Sequence, residues 1–275
     1  MDACSPRRAR EQHRAVARTL DGTTIERTLA QEVPVAVVCD GSTAAVMLAT
    51  PQDLEDFALG FAVSEGFISD PADILSFEIA AHEAGIEARF WLHRDASVAL
   101  ASRRRSMAGP VGCGLCGLDS LDAAARRVPP VNAAPLAFSM AELIGATTAL
   151  RSHQPLHDET RAVHGAGFLV PGEGIVLARE DVGRHNALDK LIGGLLQSGR
   201  PVQEGALVMT SRISVELVQK AAMVGCGVIV AVSAPTAYAV SVAEGAGIAL
   251  VQARGDAVHV FTHPEQIAAF HGGPV

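Results

Sequence analysis

Residues 206–253 read ALVMTSRISVELVQKAAMVGCGVIVAVSAPTAYAVSVAEGAGIALVQA. Three short apolar runs, ALVMT, CGVIVAVS and IALVQA, alternate with SVELVQKAAMVG and TAYAVSVAEGAG, whose apolar residues recur at helical spacing. Nearly continuous apolar strands are those covered on both faces, and the intervening helices supply the cover. The stretch predicts an α/β layered sheet. Just upstream, GAGFLV and GIVLA flank the turn PGEG as two more strands, and a helix is expected from about Val182 to Gln197. AVHVF closes the sheet downstream.

The N-terminal half has a different grammar. Asp40-Gly41 joins VPVAVVC to STAAVMLA, a hairpin signal. In TPQDLEDFALGFAVSEG, Thr50 is the expected N-cap, Pro51 the first helical residue, and Asp53 suits the positive end of the dipole. Leu54, Phe57, Ala58, Phe61 and Ala62 form a core stripe, and Gly66 closes the helix. Residues 72–100 alternate loosely and predict further strands. Ser5–Arg18 carries a twin arginine with no apolar segment behind it, so it reads as a solvated arm rather than an export signal. The Pro-rich RRVPPVNAAP (126–135) is the expected boundary between an α+β domain over 20–125, ending in a cysteine loop, and an α/β domain over 136–275.

Composition excludes several classes. With 22 Lys+Arg against 30 Asp+Glu, the net charge of −8 argues against broad nucleic-acid binding. No apolar run reaches the roughly 20 residues that cross a bilayer, so the protein is read as cytoplasmic and free of membrane. Five cysteines make no disulfide framework: Cys4, Cys39 and Cys226 are scattered, and only Cys113 and Cys116 are close.

That pair lies in GPVGCGLCGLDSL (109–121), where Gly112, Gly114 and Gly117 leave the sulfurs unshielded and Arg103, Arg104 and Arg105 lie just upstream. Free cysteine ionises near about 8.5, and neighbouring cations lower that. Dithiol exchange, zinc binding and persulfide carriage compete here. Zinc lacks a second ligand pair, and His157-Asp158-Glu159 follows the cysteines where a zinc deaminase would have it first.

The other dense polar stretch is REDVGRHNALDKLIGG (179–194). Leu188, Leu191, Ile192, Leu195 and Leu196 form its core face, with Asp181 the expected N-cap. Arg184, His185, Asn186, Asp189 and Lys190 crowd the first turns. Free N–H groups at a helix start favour a phosphate or diphosphate, and Arg184 and Lys190 add charge. A solvated polar face is the alternative.

Together TPQDLEDFALGFAVSEGFI, CGLCG, EDVGRHNALDKLIG, SAPTAYAV and RGDAVHVFTHPEQI resemble the FdhD/NarQ family from about Ala30 to the C-terminus. The resemblance implies a sulfurtransferase that takes persulfide sulfur from a cysteine desulfurase and conveys it to the bis-molybdopterin guanine dinucleotide form of the molybdenum cofactor, for formate dehydrogenase. It implies a cytidine-deaminase-like C-terminal domain without deaminase chemistry, a homodimer, and a guanine nucleotide as mimic of the cofactor's end. Cys113 matches the persulfide carrier and Cys116 its partner. The cofactor-contacting segment falls on Gln252, Ala253, Arg254, Gly255, Asp256 and Ala257, with Arg254 the multidonor contact. His164 and His185 are candidates to orient phosphates or move protons, against ordinary satisfied histidines. Two loops depart from the family pattern: Thr160-Arg161-Ala162-Val163-His164 replaces Thr-Gly-Gly-x-His, and Thr210-Ser211-Arg212 replaces Ser-Gly-Arg. The alternative function is a nucleotide-binding chaperone that escorts the cofactor without handling sulfur.

Overall fold

The computed structural model describes residues 13–98 and 128–270. Strands β1 (His13–Arg18) and β2 (Thr24–Leu29) pair as an antiparallel ribbon. This corrects the reading of a solvated arm for residues 13–18. The ribbon is built by backbone hydrogen bonds and leaves Val16 and Leu29 exposed, so it writes no hydrophobic pattern into the sequence.

Strands β3 (Val33–Cys39) and β4 (Ser42–Ala49) turn at Asp40 and Gly41, both left-handed with φ 49° and 74°, as the hairpin signal requires. Helix α1 (Leu54–Ser64) follows, then β5 (Ile74–His82) and β6 (Gly85–Leu92). The four strands lie in the order β4-β3-β6-β5 with β3 and β6 parallel. Phe57, Ala58 and Phe61 of α1 pack with Val35, Val37 and Phe90 in one core, as the stripe predicted. Gly66 closes the helix at φ 69°.

In the C-terminal half come α2 (Met140–Arg151), α3 (Pro155–Thr160), β7 (His164–Val170), β8 (Gly174–Asp181), α4 (Arg184–Ser198) and β9 (Ala206–Met209). These are followed by α5 (Val215–Met223), β10 (Val228–Ala231), α6 (Ala237–Ala246), β11 (Ala249–Arg254) and β12 (Ala257–Thr262). The sheet order is β12-β11-β10-β9-β7-β8, with β9, β10 and β11 parallel. The two-residue strand period divides the core. Leu207, Met209, Ile229, Ala231 and Leu250 meet α4, α5 and α6 on one face. Ala206, Val208, Val228, Val230 and Val251 meet Leu143, Ala146 and Leu150 of α2 on the other. The layered α/β expectation holds as helix–sheet–helix. After the Pro-rich connector the chain is pinned to these layers: Val131 N donates to Ala246 O at 2.7 Å, and Leu136 bridges Ile267.

The two halves meet where α1 crosses α4, backbone against backbone. A Cβ on Gly60 would lie 1.8 Å from the Asp189 carbonyl oxygen, and one on Gly193 would lie 1.9 Å from that of Asp56. Helix α4 is therefore covered on one side by the six-stranded sheet and on the other by α1. Its residues Asn186, Asp189 and Lys190 have no solvent to face.

Candidate functional site

The polar residues of α4 and its approach form three buried ion-pair assemblies across that seam. Asp181 Oδ2 accepts from Thr50 N and Thr50 Oγ1 at 2.9 Å each and from Lys190 Nζ at 2.7 Å. Its other oxygen accepts from Gly183 N and Asn186 Nδ2, and Asn186 also donates to Leu48 O at 2.7 Å. Asp189 accepts from Lys220 at 2.9 and 3.0 Å and from Ser64 at 2.7 Å, while Lys220 also reaches Glu65 at 2.7 Å. Arg179 and Gln197 both donate to Asp56 at 2.7 Å.

These bonds revise both expected helix caps. Thr50 and Asp181 are turned toward each other, so α1 starts at Leu54 behind Asp53 and α4 at Arg184 behind Gly183, neither with a side-chain cap bond. They also correct the expectation that Lys190 holds a cofactor. Its side chain is 0% exposed, with Asp181, the Thr50 carbonyl and the Glu180 carbonyl around its ammonium. A phosphate cannot reach it without opening the fold. Lys190→Met is expected to cost about 3–5 kcal/mol by stranding the buried Asp181 carboxylate, measured by urea unfolding, while leaving nucleotide affinity unchanged where the variant is folded.

Other sequence-predicted residues do reach the surface, at the end of the sheet where β9 and β10 finish and β7 begins. Arg184 and His185 open α4, and Arg184 Nε finds no partner. His185 Nε2 is 3.9 Å from Glu216 Oε2 at the start of α5. Burial, with Arg184 and Lys220 nearby, pushes the His185 imidazole down to about 4, so it is neutral at pH 7. His164 is held below the usual range by burial first and then by the nearby charges of Arg184 and His157. Burial raises the Glu180 carboxyl even though it accepts from Leu156 N and His157 N at 2.8 Å each.

Gln252–Ala257 spans the end of β11, a two-residue turn with Gly255 at φ 60°, and the first residue of β12. Arg254 is exposed, whereas Ala253 is fully buried and offers its carbonyl to Thr147 Oγ1 at 3.4 Å. Cys113 and Cys116 lie outside the described residues. Of the other cysteines, Cys39 and Cys226 are buried, and burial pushes the Cys226 thiol up to about 11, which removes it from sulfur chemistry at neutral pH.

Sequence reasoning missed a pocket of about 310 Å³ lined by Thr147, Thr148, Arg151, Gln154, His157 and Thr210, with Val232 beside them. It forms only when α2, α3 and two strand ends converge, and no local spacing announces it. One departure from the family pattern falls on its wall: Thr210 Oγ1 accepts from Gly165 N at 2.9 Å and donates to Gly165 O at 3.3 Å. At the other, Arg161 adopts φ 58°, the left-handed region glycine would fill without strain.

Helices on both faces of a mixed sheet, with polar side chains gathered beyond the ends of its parallel strands, define an α/β protein of the kind that binds ligands in that crevice. A family model described as the FdhD/NarQ family matches residues 30–268, and the chain belongs to that family. It is 48% identical over 260 residues to the sulfur carrier protein FdhD of Agrobacterium fabrum, covering 93% of this chain and 96% of that one. It is 47% identical to the protein of the same name from Cupriavidus necator, over 87% and 83% of the two chains. A crystal structure from Desulfotalea psychrophila, provisionally described as a formate dehydrogenase accessory protein, superposes with TM-score 0.70 at 24% identity. It covers 93% of this chain and 98% of that one, and it supports the fold. Among the described residues no helix is long and apolar enough to cross a membrane.

Proposed function

We propose that this protein is a sulfur carrier serving formate dehydrogenase, with Cys113 as the atom that carries. The observation behind the reading is the match to curated sulfur carriers along almost the whole chain, together with the CGLCG motif in this sequence. The Cys113 thiolate attacks the outer sulfur of a cysteine desulfurase persulfide; a new S–S bond forms on Cys113 and the donor cysteine leaves as thiolate. Release at the molybdenum centre follows when the Cys116 thiolate attacks the inner sulfur of Cys113. Hydrosulfide departs, a Cys113–Cys116 disulfide remains, and a dithiol reductant restores the pair. The guanine dinucleotide ends of the cargo bind beyond the strand ends, to Arg184, His185 and the Gln252–Ala257 hairpin.

The test is to incubate the protein with a cysteine desulfurase and cysteine, then weigh the peptide that contains Cys113. A gain of one sulfur atom, absent in Cys113→Ala, is expected. No gain, with guanine-nucleotide binding intact, would leave the escort role instead.

A further inference from the structure

The last two residues of β8 fasten the helices on either side of the crevice. Consecutive side chains of a strand point to opposite faces. Asp181 faces α1 and α4 and holds the start of α4 through Gly183 N and Asn186. Glu180, paired across the sheet with Gly165, faces α3.

Helix α3 does not cap itself. The first N–H groups of any helix lack a carbonyl within it. Here Pro155 has no N–H, Gln154 makes no side-chain cap, and Asp158 N reaches Gln154 O at 3.1 Å. That leaves Leu156 N and His157 N. Each donates to a different oxygen of Glu180 at 2.8 Å, across 24 and 23 positions of chain. The Gln154 carboxamide, 1% exposed, bonds the same carboxylate. Gly165 makes room for it, since a Cβ there would lie 2.5 Å from Gln154 Nε2. No residue of α3 is fully buried, so packing alone fixes the helix weakly. Its other ties are β2 alongside, the exposed Arg151–Asp158 pair, and His157 Nδ1 against Val163 O at 3.1 Å.

What α3 carries gives this fastening its consequence. Gln154 and His157 line the cavity of about 310 Å³, and Glu180 does not. We propose that Glu180 is a positioning residue for cargo binding, which touches no ligand and fixes Gln154 and His157 as one wall of the crevice by capping α3 from a neighbouring strand. Bonds from N–H groups to an ionised carboxylate are about twice as strong as neutral ones and set direction as well as distance. The role rests on the reading that a nucleotide end of the cargo arrives at this end of the sheet. It does not depend on Cys113 carrying sulfur.

Two variants of the full chain test it. Glu180→Gln keeps the size, removes the charge and leaves one acceptor oxygen; Glu180→Ala leaves none. The first readout is nuclear magnetic resonance of the Leu156 and His157 amides. In the parent both should shift with a shared midpoint above the ordinary 4.5, because burial raises this carboxyl, and neither variant should show that titration. Protection of the two amides from hydrogen exchange should fall about 10-fold or more. The second readout is the affinity for guanosine diphosphate at pH 7, by calorimetry. Removing a negative charge favours an anionic ligand, so plain electrostatics predicts tighter binding by Glu180→Gln. Positioning predicts the opposite sign, about 10-fold weaker. The melting temperature of Glu180→Gln should stay near the parent's or rise, because a half-buried charge has gone and α3 buries no side chain. Equal or tighter binding by Glu180→Gln would overturn the role. So would amides that fail to titrate or keep their protection in Glu180→Ala, or a collapse of the melting temperature, which would make Glu180 a general stabiliser. A parent that binds no guanosine diphosphate defeats the cargo reading and takes this role with it, whereas a parent that binds no better than its variants defeats the role alone.

Discussion

Gly193→Ala and Gly60→Ala will each cost more than about 4 kcal/mol or prevent folding outright. One methyl group is a small change, but at these two positions it falls 1.9 and 1.8 Å from a backbone carbonyl oxygen of the opposing helix. Backbone has no rotamer by which to step aside. α1 and α4 must separate by more than an ångström, and all three ion-pair assemblies span the same seam, so separation strands charges as well as losing packing. Gly145→Ala is the internal control: it adds the same methyl to α2, where nothing lies within 4 Å. That change should stabilise by up to about 1 kcal/mol through the unfolded chain. Urea unfolding of the three variants, with opposite signs expected, checks the account.

This seam also explains how far the sequence could be read. The sheet was legible because β9, β10 and β11 are apolar on both faces, and α1 because its stripe keeps helical spacing. Asp40-Gly41 was legible because its chemistry is local. What escaped is what depends on partners distant in the chain. Thr50 and Asp181 have the composition of helix caps, but they lie 131 positions apart and bond each other instead. Asp189 and Lys190 have the composition of a ligand site or a wet face, and become neither because α1 buries them. Arg184 Nε is unpartnered and Arg254 is open to solvent, and neither state can be read from local spacing.

Asp189→Asn should cost about 3–5 kcal/mol. Asp189 is 1% exposed and Lys220 4%, so removing the carboxylate leaves an ammonium in the interior with Glu65, Ser64 and the Phe61 ring beside it. The double variant Asp189→Leu with Lys220→Met removes both charges and should recover most of that loss, because the desolvation that opposed the pair disappears with it. The pH dependence separates this role from simple packing. Burial is the largest influence on Asp189 and raises its carboxyl to about 6 from the ordinary 3.8, against the pull of Lys220. Between those values the folded protein holds a proton that the unfolded chain has released, so this group's contribution to stability grows as pH falls through 6 and levels off below 4. Above 6 both states are ionised and the contribution is flat. Asparagine cannot titrate, so the melting temperature of Asp189→Asn followed from pH 7 to pH 4 should lack that rise relative to the parent. A parallel displacement of the two curves, with no change of shape in that window, would mean that Asp189 is already fully ionised throughout and that the Lys220 ammonium, not burial, governs it.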